Sequence, residues 1–320
     1  MAGSAPGRGL AGGDLRANPH VLALVAMVVW GLAYVPSAWL TETWPPLLAA
    51  GARLGLAGIL LLAVLAVTGQ GVRPGMRPLE IAFLGLMQTT LFYGATFIGI
   101  AEEGAGIAAV LSNTDPLFVA LLGALLLREH LVPAQWIGLV AGLIGVGVIV
   151  WDGAIWPPEV SMISLLIVGG AVAWSIGTIT AARSVRASGS PIAIAGWQML
   201  FGAVLLVIWS GVYEQDAPEI GGGQIALVIG LAALGSAAPL GLFYLSLRGG
   251  RIGEVSAWFF LIPVIGVLTA WPLLGETPGI RLVVGLVAVC AGLLLVLAPR
   301  AAIGVGRRMF GGGARPTAEG

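Results

Sequence analysis

The sequence predicts an all-α integral membrane protein of ten transmembrane helices, arranged as two inverted five-helix repeats. Three observations carry this. Of 320 residues, 58% are hydrophobic and only 9% charged, whereas a soluble domain carries roughly a quarter charged residues. The apolar residues gather into ten runs near the ~20-residue length that spans a bilayer. A set of prolines, glutamates and glycines recurs at a spacing of 147 residues.

The runs are 21–40, 46–68, 79–101, 105–127, 135–151, 161–182, 191–213, 224–246, 253–274 and 280–298. They are continuous rather than alternating, which fits helices and not barrel strands. Their orientation follows from the arginines, the only cationic type besides histidine, because lysine is absent. With the N-terminus in the cytoplasm, thirteen of the fifteen arginines fall in cytoplasmic segments. Only Arg281 falls outside and only Arg53 lies within a span. The opposite loops are acidic: Glu42, Glu102, Glu103, Asp152, Glu159, Glu214, Asp216 and Glu219. Tryptophans 39, 44, 151, 156 and 271 stand near span ends, where amphipathic rings settle at headgroups.

The repeat supplies the domain plan. Pro116, Glu129 and Gly138 correspond to Pro263, Glu276 and Gly285, and Gly106 and Gly145 to Gly253 and Gly292, all at the 147 offset. Pro46 and Gly51 match Pro191 and Gly196 at 145, and Phe92-Tyr93 matches Phe243-Tyr244 at 151. Residues 20–152 form the first repeat and 160–298 the second, with cytoplasmic tails at 1–19 and 299–320. Five spans is an odd number, so the second repeat enters the membrane from the opposite face, a construction common in secondary transporters. Residues 1–19 lack a signal-peptide pattern, and the first run is long enough to stay as a span. The stripes Gly138/Ala141/Gly145 and Gly285/Ala288/Gly292 predict close packing of the fifth and tenth helices.

The duplicated pattern of a proline in the fourth helix, an LLxE end and a Gly-rich fifth helix, with the Trp30-Gly31 step in the first, resembles the EamA-type transporters of the drug/metabolite transporter superfamily. Trp174 takes the place of Trp30 in the sixth helix, with Ser175 where the glycine would be. The likeness covers residues 20–298. It implies a multi-pass carrier of the plasma or inner membrane with both termini cytoplasmic and a central cavity. Members of the family export or import amino acids, metabolites and toxic compounds, so the expectation is secondary active transport of a small organic metabolite, amino acid or drug by alternating access, with export as the expected direction and proton coupling read from Asp115. The likeness does not name the solute.

Two charges lie deep in apolar runs, where insertion costs about 2.5–3.5 kcal/mol each. Asp115 is roughly 15 Å into the fourth span at helical rise, beside Asn113, Thr114 and Pro116. It is a candidate for proton coupling or capture of a cationic group, or else a structural partner near a kink at Pro116; Pro263 marks a second kink. Arg53, roughly 10 Å deep, is a candidate for a substrate carboxylate, an ion pair with Asp115, or a lock between helices. Neither charge is duplicated: Ile262 and Gln198 stand at the repeat positions. The remaining binding candidates are Trp30, Gln88, Tyr93, Trp174, Gln198, Tyr244 and Trp258, since a cavity for organic solutes needs aromatic walls and a few polar groups. Glu129 and Glu276 end the fourth and ninth helices as gating or capping acids.

Other classes find little support. The single cysteine, Cys290, permits no intrachain disulfide, and no Cys/His metal spacing occurs. His20 and His130 belong to no HExxH, and there is no GxSxG and no P-loop. No cofactor, metal or nucleic acid is expected; the expected partners are a small solute, protons and the lipid bilayer. An intramembrane enzyme and a non-transporting receptor or scaffold remain as alternatives. Oligomeric state, solute and coupling ion are not encoded legibly.

Overall fold

The structure, a computed structural model, describes residues 18–126, 131–150, 161–187, 190–249 and 257–297. Among these, seven helices are long and apolar enough to cross a membrane, and three shorter apolar helices complete a set of ten. We number them α1 to α10: α1 (Pro19–Thr41), α2 (Pro46–Val67), α3 (Pro78–Glu103), α4 (Ala105–Leu126), α5 (Pro133–Val150), α6 (Met162–Ala187), α7 (Pro191–Tyr213), α8 (Gly222–Gly249), α9 (Leu261–Leu274) and α10 (Ile280–Leu297). Five of them open on proline, whose fixed φ suits the first helical position and whose missing N–H is no loss there. The spans read from hydropathy and these helices agree closely. Trp39 and Trp271 are exposed near helix ends as anchors would be, and Trp44 donates to the Glu219 carbonyl at 2.8 Å. Trp151, Trp156 and Glu129 lie outside the described residues.

The two repeats meet through equivalent helices. In the α5–α10 pair, a Cβ on Gly138 would fall 2.7 Å from the Gly292 carbonyl, and one on Gly292 2.5 Å from the Gly138 carbonyl. A Cβ on Gly145 would fall 2.8 Å from the Gly285 carbonyl, and one on Gly285 2.9 Å from that of Gly145. The stripes therefore touch backbone to backbone and run antiparallel, each glycine facing the repeat partner of the other. The α2–α7 pair obeys the same rule. Gly51 abuts Val207, and Gly196 abuts Leu62, at 2.9 and 2.8 Å from their missing Cβ atoms. Reciprocal contacts of this kind are what a two-fold relation produces. The antiparallel sense shows that the second repeat is inverted relative to the first.

Acidic loop residues staple one end of the bundle. Glu214, after α7, accepts from the Leu47 and Leu48 amides at 2.7 and 3.2 Å, in the first turn of α2. Glu276, between α9 and α10, accepts from the Ala105 and Gly106 amides at 2.7 and 2.8 Å, in the first turn of α4. Each carboxylate thus satisfies two orphan N–H groups and meets the positive end of a helix dipole. Gly104, at φ +90°, lies where a Cβ would come 2.8 Å from the Glu276 carboxylate. Of the two helix-end acids singled out in sequence, Glu276 is therefore a cross-repeat cap.

Five helices are irregular at mid-span. Helix α1 breaks at Ala33 into α1a (Pro19–Leu32) and α1b (Tyr34–Thr41). Helix α4 breaks at Asn113-Thr114 into α4a (Ala105–Ser112) and α4b (Asp115–Leu126). A 3-10 turn, Ala257–Phe260, precedes α9. π-Helical segments interrupt α3 at Gly85–Leu91 and α8 at Ala233–Ala237, equivalent places in the two repeats. The kinks expected at Pro116 and Pro263 are instead helix starts. Both prolines sit in the first turn after an interruption, where no i→i−4 bond is lost.

The glycine interface gives a stability prediction. Gly292→Val forces atoms into the Gly138 carbonyl and should cost about 1–3 kcal/mol, read as a lower Tm in detergent. Gly147→Ala, where nothing lies within 4 Å of the added Cβ, should leave the Tm nearly unchanged.

Candidate functional site

The interrupted helices surround one cavity. It is lined by Trp30, Ala33, Tyr34 and Ser37 of α1, Arg53 of α2, Phe92, Tyr93, Thr96, Phe97 and Ile100 of α3, Asn113 and Asp115 of α4, Trp174 of α6, and Phe259 and Ile262 near the start of α9. The cavity itself is narrow, about 50 Å³; counting the gaps around it and the open solvent at its mouth brings the space to about 550 Å³. In hydrocarbon an irregular backbone is tolerated only where protein or a polar cavity covers it, and four of the five interrupted helices contribute to this wall.

Arg53 is 4% exposed and spends three of its five N–H groups on neutral oxygens. Nε donates to Ser236 Oγ at 2.7 Å, one terminal nitrogen to Ser37 Oγ at 2.8 Å, and the other to the Gly235 carbonyl at 2.7 Å. Ser37 in turn donates to the Ala33 carbonyl at the break in α1. Gly235 and Ser236 belong to the π-segment of α8. The guanidinium thus joins α2, the break of α1 and the π-segment of the other repeat. Its carbon lies 5.9 Å from the Tyr93 ring centre and 5.6 Å from that of Phe97, within cation–π range.

Asp115 is the first residue of α4b, where the positive end of the half-helix dipole favours a carboxylate. Ser175 Oγ stands between two carbonyls, that of Ala171 at 2.8 Å and that of Asp115 at 2.9 Å, and its one proton serves either, so the serine that departs from the Trp-Gly step has a place in the site. Beside it, Ser112 Oγ donates to the Ala108 carbonyl at 2.6 Å, which uses its only proton. Tyr34 must therefore donate to Ser112 Oγ, at 2.6 Å, and Asn113 Nδ2 donates to the Tyr34 hydroxyl at 2.8 Å. Among the described residues, no hydrogen bond or ion pair joins Arg53 to Asp115, although both face the same cavity. Among the described residues, neither has an oppositely charged side chain as partner.

The aromatic wall repeats the two-fold logic. Trp30 packs on Phe243, with ring centres 6.1 Å apart, and Trp174 on Phe92 at 4.7 Å, so each tryptophan meets the repeat partner of the other's phenylalanine. Phe259 adds to the first group and Tyr93 to the second. The Trp30 indole N–H is buried without a partner.

The structure brings together Trp30, Arg53, Tyr93, Asp115 and Trp174 of the residues singled out in sequence. Gln88 and Gln198 are buried but away from this cavity. Trp258 donates to His20 Nδ1 at 3.4 Å, near the first turn of α1. The Tyr244 side chain lies outside the described residues. Sequence reading missed Tyr34, Ser37, Thr96 and Ser236. Small hydroxyl residues are ordinary in spans, and only the presence of an unpaired Arg53 could have prompted a search for its acceptors.

The family model for the EamA-like transporter family matches this chain twice, over residues 18–151 and 161–298. The chain belongs to the EamA-like transporter family. It is 31% identical over 262 residues to the uncharacterized inner membrane transporter YedA of Escherichia coli K12, covering 80% of this chain and 83% of that protein. It is 27% identical to the uncharacterized transporter YvbV of Bacillus subtilis over 86% of this chain and 90% of that one. A WAT1-related chloroplastic protein of Arabidopsis thaliana is 25% identical over 91% of this chain and 72% of its own length. A solved crystal structure at 19% identity superposes with a TM-score of 0.64 over 91% of this chain and 98% of that one, which shows the shared fold. This EamA-like protein is thus a multi-pass membrane transporter.

The Arg53 node can be measured in this transporter. Ser236→Ala removes an acceptor from a charged donor, a bond worth about 1.5–3 kcal/mol. It should lower stability in detergent by that order. In an Arg53→Gln background the same change should cost much less, and the difference in a double-mutant cycle isolates the bond.

Proposed function

We propose that this EamA-like transporter is a secondary active carrier that moves a small organic solute bearing an anionic group, by alternating access. The observation that carries the reading is Arg53: a buried cation with neutral acceptors only, facing an aromatic cavity. Its two unspent N–H groups are the natural partners of a carboxylate, the geometry in which arginine binds best. A desolvated cation without a counter-ion is costly, and a bound anion offsets that cost. The inverted repeats supply the means of access, since two equivalent packings can open the cavity to opposite faces.

Asp115 is the proposed proton carrier. It sits where a helix is interrupted, has no cationic partner among the described residues, and shares the cavity with Arg53, so solute and proton would meet in one compartment. The reading is of export, with protons moving inward, and of both termini in the cytoplasm, as the arginine distribution implies. Transport is preferred to catalysis because the cavity holds one carboxylate and no nucleophile–base pair of the kind hydrolytic chemistry requires. Residues 20–152 and 160–298 are the proposed working halves.

The test starts from a thermal-shift screen of the purified protein against carboxylates, zwitterions, sugars and cationic toxins, followed by counterflow of the stabilising solutes in proteoliposomes. Counterflow of none of them defeats the reading. Arg53→Gln should weaken anionic solutes by about tenfold or more, the scale of one charged hydrogen bond, while neutral solutes are unaffected. Asp115→Asn should retain counterflow and lose pH-gradient-driven uptake. Gradient-driven uptake that persists in Asp115→Asn removes Asp115 as the coupling group.

A further inference from the structure

The two π-segments carry different chemistry. In the second repeat, the segment of α8 faces Arg53 and presents Gly235 and Ser236 to it. In the first repeat, the segment of α3 packs on α7 in the same way. A Cβ on Gly85 would lie 2.8 Å from the Gln198 carbonyl, and Thr90 Oγ1 donates to the Gly202 carbonyl at 3.1 Å. Gln198 is the repeat partner of Arg53; at the 151 offset of Phe92 and Phe243 it is Gly85 that answers to Ser236, and Gln88 stands one turn further along the α3 segment. The inverted repeat places this second node at the depth of the first, measured from the opposite face.

The second node is closed and unsatisfied. Gln88 is 4% exposed and Gln198 2%. Gln88 Nε2 donates to Thr178 Oγ1 at 3.1 Å, but among the described residues its Oε1 has no partner, and neither has Gln198 Oε1. Neither glutamine lines the present cavity. Two buried amide oxygens without donors are costly in any protein interior and more so at membrane depth, where no water covers them. Packing alone would be served better by leucine. The arrangement makes sense if these groups are wet in another conformation.

We propose that Gln88 and Gln198, with Thr178, line the cavity of the opposite-facing state and form a second, neutral polar station for the transported solute. The inference rests on the alternating-access reading. Their oxygens accept from hydroxyl, amide or ammonium groups of the solute and from water. An anionic group finds a cation at Arg53 in one state and only neutral amides in the other, so the same solute is held at one face and released at the other. The unmet oxygens also bias the present state toward opening, because opening hydrates them.

Cysteine accessibility in proteoliposomes tests this without knowledge of the solute. In a Cys290→Ala background, Ile100→Cys reports the present cavity, and Gln198→Cys and Thr178→Cys report the second station. A charged, membrane-impermeant methanethiosulfonate reagent is added to one face at a time. Both station cysteines should react from the face opposite to that which labels Ile100→Cys. Adding Gln88→Leu to Thr178→Cys removes one unmet oxygen and should slow that labelling about tenfold. Station cysteines that stay unlabelled from both faces, yet react once the protein is unfolded in detergent, overturn the proposal. Labelling from the same face as Ile100→Cys overturns it too. Solute counterflow without station labelling defeats this inference and leaves the transport reading standing; station labelling without counterflow defeats the transport reading and, with it, the station's role for a solute.

Discussion

A backbone amide inside a bilayer has no water to fall back on, and this constraint orders the whole molecule. Most of the chain meets it by forming helices whose bonds close within the segment. The exceptions are the informative places. Polar side chains collect at the break in α1, the break in α4 and the π-segment of α8. Arg53 takes the Gly235 carbonyl, Ser37 takes that of Ala33, and Ser175 stands between those of Ala171 and Asp115. The irregular backbone is affordable because polar side chains converge on it, and their convergence makes the cavity polar at three points of an aromatic wall.

The second ordering element is the pairing of equivalent helices. Glycines 138, 145, 285 and 292 let α5 and α10 touch through carbonyls, and the α2–α7 pair does the same with Gly51 and Gly196. In lipid there is little hydrophobic drive between helices, so close van der Waals approach has to supply cohesion. In the proposed alternating-access cycle, the matching of each contact by its repeat partner would give a rearrangement that favours one half a counterpart of similar energy in the other. Bistability of this kind is what a carrier needs. The caps from Glu214 and Glu276 add cross-repeat ties at one end of the bundle.

Departures from the two-fold relation are where the chemistry sits. Arg53 faces one π-segment, and Gln198 stands at its repeat position beside the other. Asp115 opens α4b, and Ile262 stands at the corresponding place before α9. The helix pairing thus follows the two-fold relation, while the two charged side chains facing the cavity do not.

Sequence alone determined the ten spans, the repeat and its inversion, because these follow from local quantities: apolar run length, an odd number of spans and a fixed offset of marked residues. It also singled out Arg53 and Asp115, since a charge at membrane depth is conspicuous whatever surrounds it. Only the tertiary structure decided what those charges do with their partners. Hydropathy gives depth but not azimuth, so an Arg53–Asp115 ion pair and a shared cavity without one read identically in sequence. Ser37, Ser236 and Gly235 are unremarkable as letters and became the holders of Arg53 only when α1, α2 and α8 came together. Likewise Pro116 promised a kink by its chemistry, but the break one turn earlier, at Asn113-Thr114, turned it into a helix start. Which residues share a wall is set by helix rotation and packing between distant segments, and no window of the sequence contains that information.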